Sequence, residues 1–210
     1  MGEEGGEEPM RIAILTLLVM AISVGVAFAR GDFQEIVRKQ GAFYVYRDNG
    51  SSLNHGAPSG WMGDYRDLIV DEDCRTDPHL GKSCIRINYT AKGSKYADWA
   101  GILWQYPPNN WGDLDGGIDL TGATKLTFWA RGECGGEIIN AFKCGGMLGA
   151  YPDTGSARIT RIELGREWAR YEINLTDIDI SYISSFFTVV MNRISNPDGC
   201  TIYLDDIRLE

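Results

Sequence analysis

Hydrophobic and polar positions alternate in short runs along the chain from Phe43 onward. β-Branched and aromatic residues make up these runs, and Gly, Asn, Asp and Pro separate them, which is typical of strands joined by turns. No stretch after residue 41 keeps a helical period over three turns. The predicted strands are residues 43–46, 84–90, 101–106, 125–131, 137–143, 158–164, 168–175, 186–192 and 201–209. Strands of this kind predict an all-β domain, built either as two sheets packed face to face or as a barrel.

Alternation within the strands predicts which side chains form the core. In the letters LTFWAR, Leu126, Phe128 and Ala130 share one face, and Trp129 and Arg131 lie on the other. The apolar set is expected in the core. Clean alternation of this kind is typical of antiparallel sheets with one face in water.

The N-terminal segment, residues 1–29, has the pattern of a signal peptide or a membrane anchor. Residues 12–29 carry no charge, Arg11 precedes them, and they end in Ala-Phe-Ala, the small-x-small pattern of a cleavage site. The acidic letters GEEGGEE do not suit export, so translation is expected to begin at Met10. An uncleaved membrane anchor is the alternative, since about 18 apolar residues just span a bilayer. Residues 30–41 are expected to be a linker, and residues 42–210 a domain that is secreted or extracytoplasmic.

The formal net charge of −9 bears on the choice of partner. A surface of that sign repels phosphate backbones, and no basic cluster interrupts it, so nucleic acid is excluded as the expected partner. No strand, Gly-rich turn and helix follow one another in the order that nucleotide binding needs.

The cysteine content fits an oxidising compartment with disulfides. Cys74 with Cys84, and Cys134 with Cys144, are each close enough in sequence to close a local loop. With Cys200 the count is odd, so one cysteine stays unpaired or pairs between molecules, and the connectivity is open.

Several stretches resemble galactose-binding-like jelly-roll β-sandwiches, which serve as non-catalytic carbohydrate-binding modules of secreted glycosidases and of stand-alone exported proteins. The stretches are FYVYRDNGSSLNHGAPSGWMGD, GKSCIRINY, WAGILWQYPPNNWGD, DLTGATKLTFWARG and TIYLDDIRLE. They extend over residues 42–210. The resemblance implies a two-sheet antiparallel β-sandwich that binds a polysaccharide or glycan without cleaving it, although this fold carries many functions.

The same resemblance implies a structural calcium ion as cofactor. Its ligands would be the carboxylates of Asp48 and Asp205, with backbone oxygens near Lys82. Alternation places Asp205 on the face of Ile207, and a carboxylate that points inward must be paired or bound to a metal. The alternative is that Asp205 and Asp206 cap a turn at the edge of the strand.

The loop tryptophans are the first candidates for sugar binding. Trp104 shares a face with apolar neighbours and is expected in the core, whereas Trp61, Trp99 and Trp111 lie in polar loops. They either pack together as a lid on the end of the sandwich or present a ring to a sugar, with Asn110 and nearby carboxylates binding the hydroxyls.

A second candidate surface follows from the strand faces. If their strands are neighbours in one sheet, six outward-facing residues line a concave side suited to a glycan. The alternative is an ordinary wet sheet whose tryptophan is shielded by a loop. These residues are Gln105, Trp129, Arg131, Lys143, Thr188 and Asn192.

No catalytic residue is predicted. His55 and His79 both lie in loops without a nucleophile or metal motif around them. Carboxylates such as Asp64, Asp98 and Asp113 are available, but spacing in the sequence does not show that any two lie at the separation that glycoside hydrolysis needs. The alternatives to a carbohydrate-binding module are a structural or adhesion protein of the cell envelope and a small glycan-active hydrolase or lyase.

Overall fold

The computed structural model describes residues 33–210, as one helix and eleven strands. The predicted signal peptide or anchor, residues 1–29, lies outside the described residues. The elements are α1 Phe33–Gln40, β1 Phe43–Tyr46, β2 Ala57–Gly63, β3 Leu68–Cys74, β4 Cys84–Tyr89, β5 Trp99–Gln105, β6 Lys125–Gly132, β7 Glu137–Gly145, β8 Ser156–Leu164, β9 Ala169–Asn174, β10 Ser185–Asn192 and β11 Cys200–Leu209.

The strands form two antiparallel sheets. The six-stranded sheet has the order β3-β4-β11-β6-β9, and β1 pairs with β11 as well. The five-stranded sheet has the order β2-β5-β10-β7-β8. The structure therefore confirms the predicted two-sheet β-sandwich and removes the barrel alternative.

The core lies between the two sheets. Phe128 of β6 and Phe142 of β7 have ring centroids 4.6 Å apart, and Phe187 of β10 lies 5.0 Å from Phe128. Trp104 is completely buried, as predicted, and so are Phe128 and its strand neighbours Leu126 and Ala130. Burying an apolar side chain of this size contributes about 1.5–3 kcal/mol, so this aromatic contact between the sheets is a main source of stability.

Strand β11 contains a β-bulge that the alternation pattern did not predict. Asp205 pairs with Trp129, and the register with β6 shifts directly afterwards, where Asp206 has a φ of 47°. Tyr203 and Asp205 consequently lie on the outer face of the sheet, whereas Ile207 is in the core. The prediction that Asp205 shares the face of Ile207 is wrong because one extra residue in a bulge reverses the alternation.

Two strands that the sequence pattern missed, β2 and β3, form edges of the two sheets. The letters of β2, APSGWMG, include Pro and two Gly, which disfavour a central strand. The letters of β3, LIVDEDC, end in acidic residues. Both compositions are tolerated at a sheet edge, where charge and proline also prevent pairing with another molecule.

Residues 33–40, which were expected to belong to a linker, form α1. Phe33 is buried in the core, and Ile36 and Val37 pack against it from the same side of the helix. Glu35 lies in the first turn and Lys39 in the last, an arrangement that complements the helix dipole. Within residues 33–210, no helix is long and apolar enough to cross a membrane.

The five cysteines are unbonded in the structure. Cys144 lies in β7, whereas Cys134 precedes the opposite end of that strand. Seven or more residues of extended chain separate the two by roughly 20 Å, far beyond the reach of a disulfide. A local disulfide between Cys134 and Cys144 is therefore excluded.

Candidate functional site

The solvent side of the five-stranded sheet carries the best candidate site, and we call it the aromatic face. Alternation in β5 turns Ala100, Ile102 and Trp104 into the core and the residues between them outward. The register of β10 and β7 adds their outward residues to the same face. The aromatic face comprises Trp99, Gly101, Leu103, Gln105, Ala141, Lys143, Thr188, Val190 and Asn192.

Trp99 stands at one end of this face, where β5 begins. Its indole packs on Gly63 of the neighbouring strand: a Cβ at Gly63 would clash with the Trp99 carbonyl oxygen and lie 3.0 Å from the ring atom Cδ2. Gly63 has a φ of 61°, which glycine adopts without strain, and Trp99 leaves no room for a Cβ at this position. The backbone N–H of Asp64 also donates to the Trp99 carbonyl at 2.7 Å. The Trp99 side chain is thus fixed against β2 and remains 38% exposed.

The loop of residues 91–98 leads into Trp99, and a buried carboxylate shapes it. Asp64 is inaccessible to solvent. Its oxygens accept hydrogen bonds from the backbone N–H groups of Lys95 at 2.5 Å, Ala97 at 3.1 Å and Asp98 at 2.8 Å. Burial raises the pKa of Asp64, but these N–H donors outweigh burial, so the pKa lies below its ordinary value. Asp64 is therefore a structural anchor of the loop.

Trp111 stands near the other end of the face, in the loop after β5. The buried side chain of Gln105 accepts the Trp111 backbone N–H at 3.2 Å and donates to the Ser59 hydroxyl at 3.1 Å. The Ser59 hydroxyl also accepts the N–H of Asn109 at 2.9 Å. Trp111 has a φ of 46° and is 41% exposed. Gln105 thus holds the backbone that presents the Trp111 ring.

Asn110, predicted to contact sugar, is buried and serves the same loop. Its side chain donates to the Leu114 carbonyl at 3.0 Å and to the Tyr106 carbonyl at 3.4 Å, and it accepts the Leu114 N–H at 2.8 Å. Gln105, also predicted as a sugar contact, has no accessible surface either. The structure therefore assigns both amides to the support of the loop, because its backbone groups have no strand partner.

The middle of the aromatic face is lined by polar side chains of β7 and β10. Lys143 is half-buried, with Nζ 3.5 Å from the Gly146 carbonyl. Asn192 is half-buried and accepts the Ser195 N–H at 2.8 Å. Asn192 pairs with Trp99 in register, so the structure brings both predicted residues onto the face of this tryptophan.

Two further candidates, Trp129 and Arg131, lie on the opposite side of the molecule. They belong to β6 in the six-stranded sheet, so the prediction that they line one surface with Gln105, Lys143 and Asn192 is wrong. Alternation correctly predicted that these side chains face outward from their own strands. It does not determine which strands are neighbours in a sheet.

Trp129 is covered by the loop of residues 75–83. His79 stacks on the Trp129 ring with centroids 3.7 Å apart. Arg131 lies over the rings of Tyr203, at 3.8 Å, and Trp168, at 5.3 Å. These contacts occupy the polar and aromatic surfaces that a ligand would need on this sheet.

Trp61 lies apart from the aromatic face. It pairs with Ile102, so its side chain is on the interior side of the five-stranded sheet, at the edge formed by β2. It is 37% exposed because an edge strand leaves the side of the sandwich open. The predicted cluster of three loop tryptophans is thus divided, and Trp99 and Trp111 share the outer side.

The predicted calcium ligands do come together, around the loop of residues 75–83. Asp48 accepts the backbone N–H groups of Lys82 at 2.6 Å and Ser83 at 3.0 Å, and Asp205 accepts that of Leu80 at 2.9 Å. Burial raises the pKa of Asp205 to about 6. Residues 33–210 contain no group of three or more His, Cys, Asp or Glu placed for a metal. Calcium requires six to eight oxygen ligands, so this arrangement of N–H donors does not fit its shell.

A cavity of about 610 Å³ lies at one end of the sandwich, between the turns of residues 133–137 and 195–199. Its lining is mostly polar backbone and short side chains, and its aromatic member, Tyr89, is buried. It offers no exposed ring, so it is a weaker candidate for sugar binding than the aromatic face.

The two antiparallel sheets define the class of the protein, a jelly-roll β-sandwich. Solved structures agree at the level of the fold. A crystal structure of a family 30 carbohydrate-binding module is similar with a TM-score of 0.50 and 19% identity, over 80% of this chain and 96% of that one.

Similarity to other modules is weaker. The family 11 carbohydrate-binding module from Clostridium thermocellum, in complex with a β-1,3-1,4-mixed-linked tetrasaccharide, gives a TM-score of 0.48 and 14% identity, over 77% of this chain and 91% of that one. No protein-family model matches the sequence, and a search of curated proteins finds no match. The similarity to the family 30 module shows that the chain has the jelly-roll fold, as the sequence resemblance predicted.

Proposed function

We propose that this protein binds a polysaccharide or glycan on its aromatic face and does not cleave it. The observation that carries the proposal is the pair of partly exposed tryptophans, Trp99 at the start of β5 and Trp111 in the loop that follows its end, both held by backbone hydrogen bonds. Trp99 and Gln105 are six positions apart along β5, and an extended strand covers roughly 20 Å over that length. An extended oligosaccharide fits such a span.

The chemistry of the aromatic face suits a sugar chain. The apolar C–H side of a sugar ring stacks on an indole, while the hydroxyls need donors and acceptors. Lys143 supplies a donor near the middle of the face, and Asn192 supplies an amide beside Trp99. The Asp64 carboxylate is engaged in holding the loop, and the Asp98 carboxylate pairs with Arg193 at 2.7 Å, which supports binding without hydrolysis.

The affinity of such a site is expected to be modest. The face is shallow, so each hydroxyl that binds must first lose its water, and little of the ligand is enclosed. The fold shared with the family 30 module supports the class of ligand and does not select the glycan.

We also propose that the protein is exported from the cytoplasm. The charge-free run of residues 12–29, which ends in Ala-Phe-Ala, supports cleavage by a signal peptidase after secretion. A retained anchor would instead leave the domain at the membrane surface, as the cell-envelope alternative requires.

The proposal is tested by electrophoresis of the full chain in native gels that contain single polysaccharides. We expect at least one polysaccharide to retard the protein, with no release of reducing sugar from any of them. Migration unchanged throughout a broad panel would contradict carbohydrate binding. Release of reducing sugar would replace the proposal with the hydrolase alternative.

A further inference from the structure

Cys74 and Cys84 lie side by side at the base of the loop of residues 75–83. Cys74 ends β3, Cys84 begins β4, and the two are direct partners in the antiparallel register. Both are buried, and they form a small cluster with Tyr203 on the outer side of the six-stranded sheet. The Cys84 Sγ lies 3.5 Å from the Cys74 carbonyl oxygen.

The spacing of such partners matches that of a disulfide. Directly opposite residues in an antiparallel pair have Cα atoms about 4.5–5.5 Å apart. Disulfides join residues whose Cα atoms are about 4.4–6.8 Å apart. Because both side chains point to the same face, rotation of the side chains is enough to join Cys74 and Cys84.

The other cysteines have different surroundings. Cys144 is buried in the core, and burial raises its pKa to about 12. The Cys200 Sγ lies 3.6 Å from the Met191 Sδ, and Cys134 is exposed in a turn. Cys134, Cys144 and Cys200 are therefore expected to remain thiols.

The loop between Cys74 and Cys84 makes contacts that a bond at its base would preserve. The Trp168 indole donates to the Asp77 carbonyl at 3.0 Å, and His79 covers Trp129. The loop therefore shields the six-stranded sheet from solvent, and opening it would expose the Trp129 ring.

We propose that Cys74 and Cys84 form a disulfide that closes this loop when the chain folds with a disulfide oxidant. Two S–H bonds break and one S–S bond forms. The two electrons and two protons pass to the oxidant, a small-molecule or protein disulfide, which becomes two thiols.

The burial of the pair determines when the bond forms. Burial raises the pKa of the Cys84 thiol, and the neighbouring Cys74 thiol raises it further, so the reactive thiolate is rare in the folded protein. The bond therefore forms before the loop closes and is afterwards protected from reductants. The proposal is a structural disulfide, independent of carbohydrate binding.

The test uses the full chain, refolded from denaturant with a mixture of oxidised and reduced glutathione. The product is unfolded without reductant, its thiols are alkylated, and the mass and a non-reducing peptide map are measured. We expect three alkylated thiols and one linked peptide pair that contains Cys74 and Cys84. Five alkylated thiols, or a linkage between other cysteines, would overturn the proposal.

A matched variant separates the disulfide from the packing of the two residues. In the wild type, reductant is expected to lower Tm by several degrees, since the bond restricts the unfolded chain. A Cys74→Ser, Cys84→Ser double variant should show no effect of reductant, while Cys134→Ser should respond like the wild type. Equal Tm of the wild type with and without reductant would count against a stabilising bond.

Discussion

At the residue scale, buried polar side chains determine the geometry of the aromatic face. Gln105 and Asn110 have no accessible surface, yet their amides hold the backbone of the loop that carries Trp111. An unsatisfied buried N–H or C=O costs about 1–3 kcal/mol, so these amides also stabilise the fold. Their effect on a ligand is indirect, through the position of the indole.

Asp64 has the corresponding role at the Trp99 end, and its titration gives a prediction. We expect Asp64→Asn to lower the stability at neutral pH by roughly 1–3 kcal/mol, because three backbone N–H groups lose the charged acceptor that a buried side chain provides. The folded-state pKa lies below the ordinary 3.8, so the contribution of the carboxylate is fully present above that pH and is lost as the pH falls below it. Tm measured from pH 7 to pH 3 should show the wild type and the variant converging in acid.

The control for this prediction is Asp113→Asn, which changes an exposed carboxylate. It should follow the wild type at every pH. A constant difference between wild type and Asp64→Asn down to pH 3 would show that the carboxylate charge is not what stabilises the loop.

At the element scale, the close approach of β2 to β5 fixes Trp99. We expect Gly63→Ala to reduce binding of a retained polysaccharide at least about tenfold, or about 1.4 kcal/mol, because the new Cβ would clash with the Trp99 carbonyl oxygen and crowd the indole, which displaces the backbone of Trp99 and its ring together. Affinity electrophoresis measures the binding, and Tm measures the cost of the strained φ.

Gly136→Ala is the matched control for Gly63→Ala. Gly136 also has a positive φ, of 93°, but a Cβ there meets nothing within 4 Å. It should lower Tm through backbone strain and leave binding unchanged. If both variants lose stability and neither loses affinity, the contact between Gly63 and Trp99 is irrelevant to the ligand.

Most strands could be predicted from the sequence, and the exceptions have physical reasons. Alternation correctly placed Phe128 and Trp104 in the core, since burial decides both positions. It missed β2 and β3, whose glycines, proline and acidic residues are tolerated at sheet edges. It also failed at Asp205, because a bulge leaves no reliable mark in the pattern of polar residues.

At the scale of the whole molecule, the order of strands decides which residues form a site. Trp129 and Trp99 both lie on outward faces, but they belong to opposite sheets. Side-chain alternation describes each strand separately and contains no information about neighbours in the sheet. The surface predicted from alternation therefore combined residues that belong to two different sheets.

A chelator tests whether the whole domain is stabilised by a calcium ion. If Asp48 and Asp205 held an ion, a chelator would lower the Tm of the wild type. The Tm of Asp205→Ala would not change. Because backbone N–H groups already occupy these carboxylates, we expect equal Tm with and without chelator. A fall in Tm for the wild type alone would establish the ion and require the loop of residues 75–83 to rearrange around it.

The central claim is that the five-stranded sheet, and not the six-stranded one, binds the glycan. The direct measurement compares the affinities of Trp99→Ala, Trp111→Ala and Trp129→Ala for one retained polysaccharide, by isothermal titration calorimetry. The first two variants should each lose at least about tenfold in affinity with little change in Tm. Trp129→Ala should keep its affinity and lose Tm, since its ring packs under His79. Loss of affinity in Trp129→Ala alone would place the site on the opposite sheet and contradict the claim.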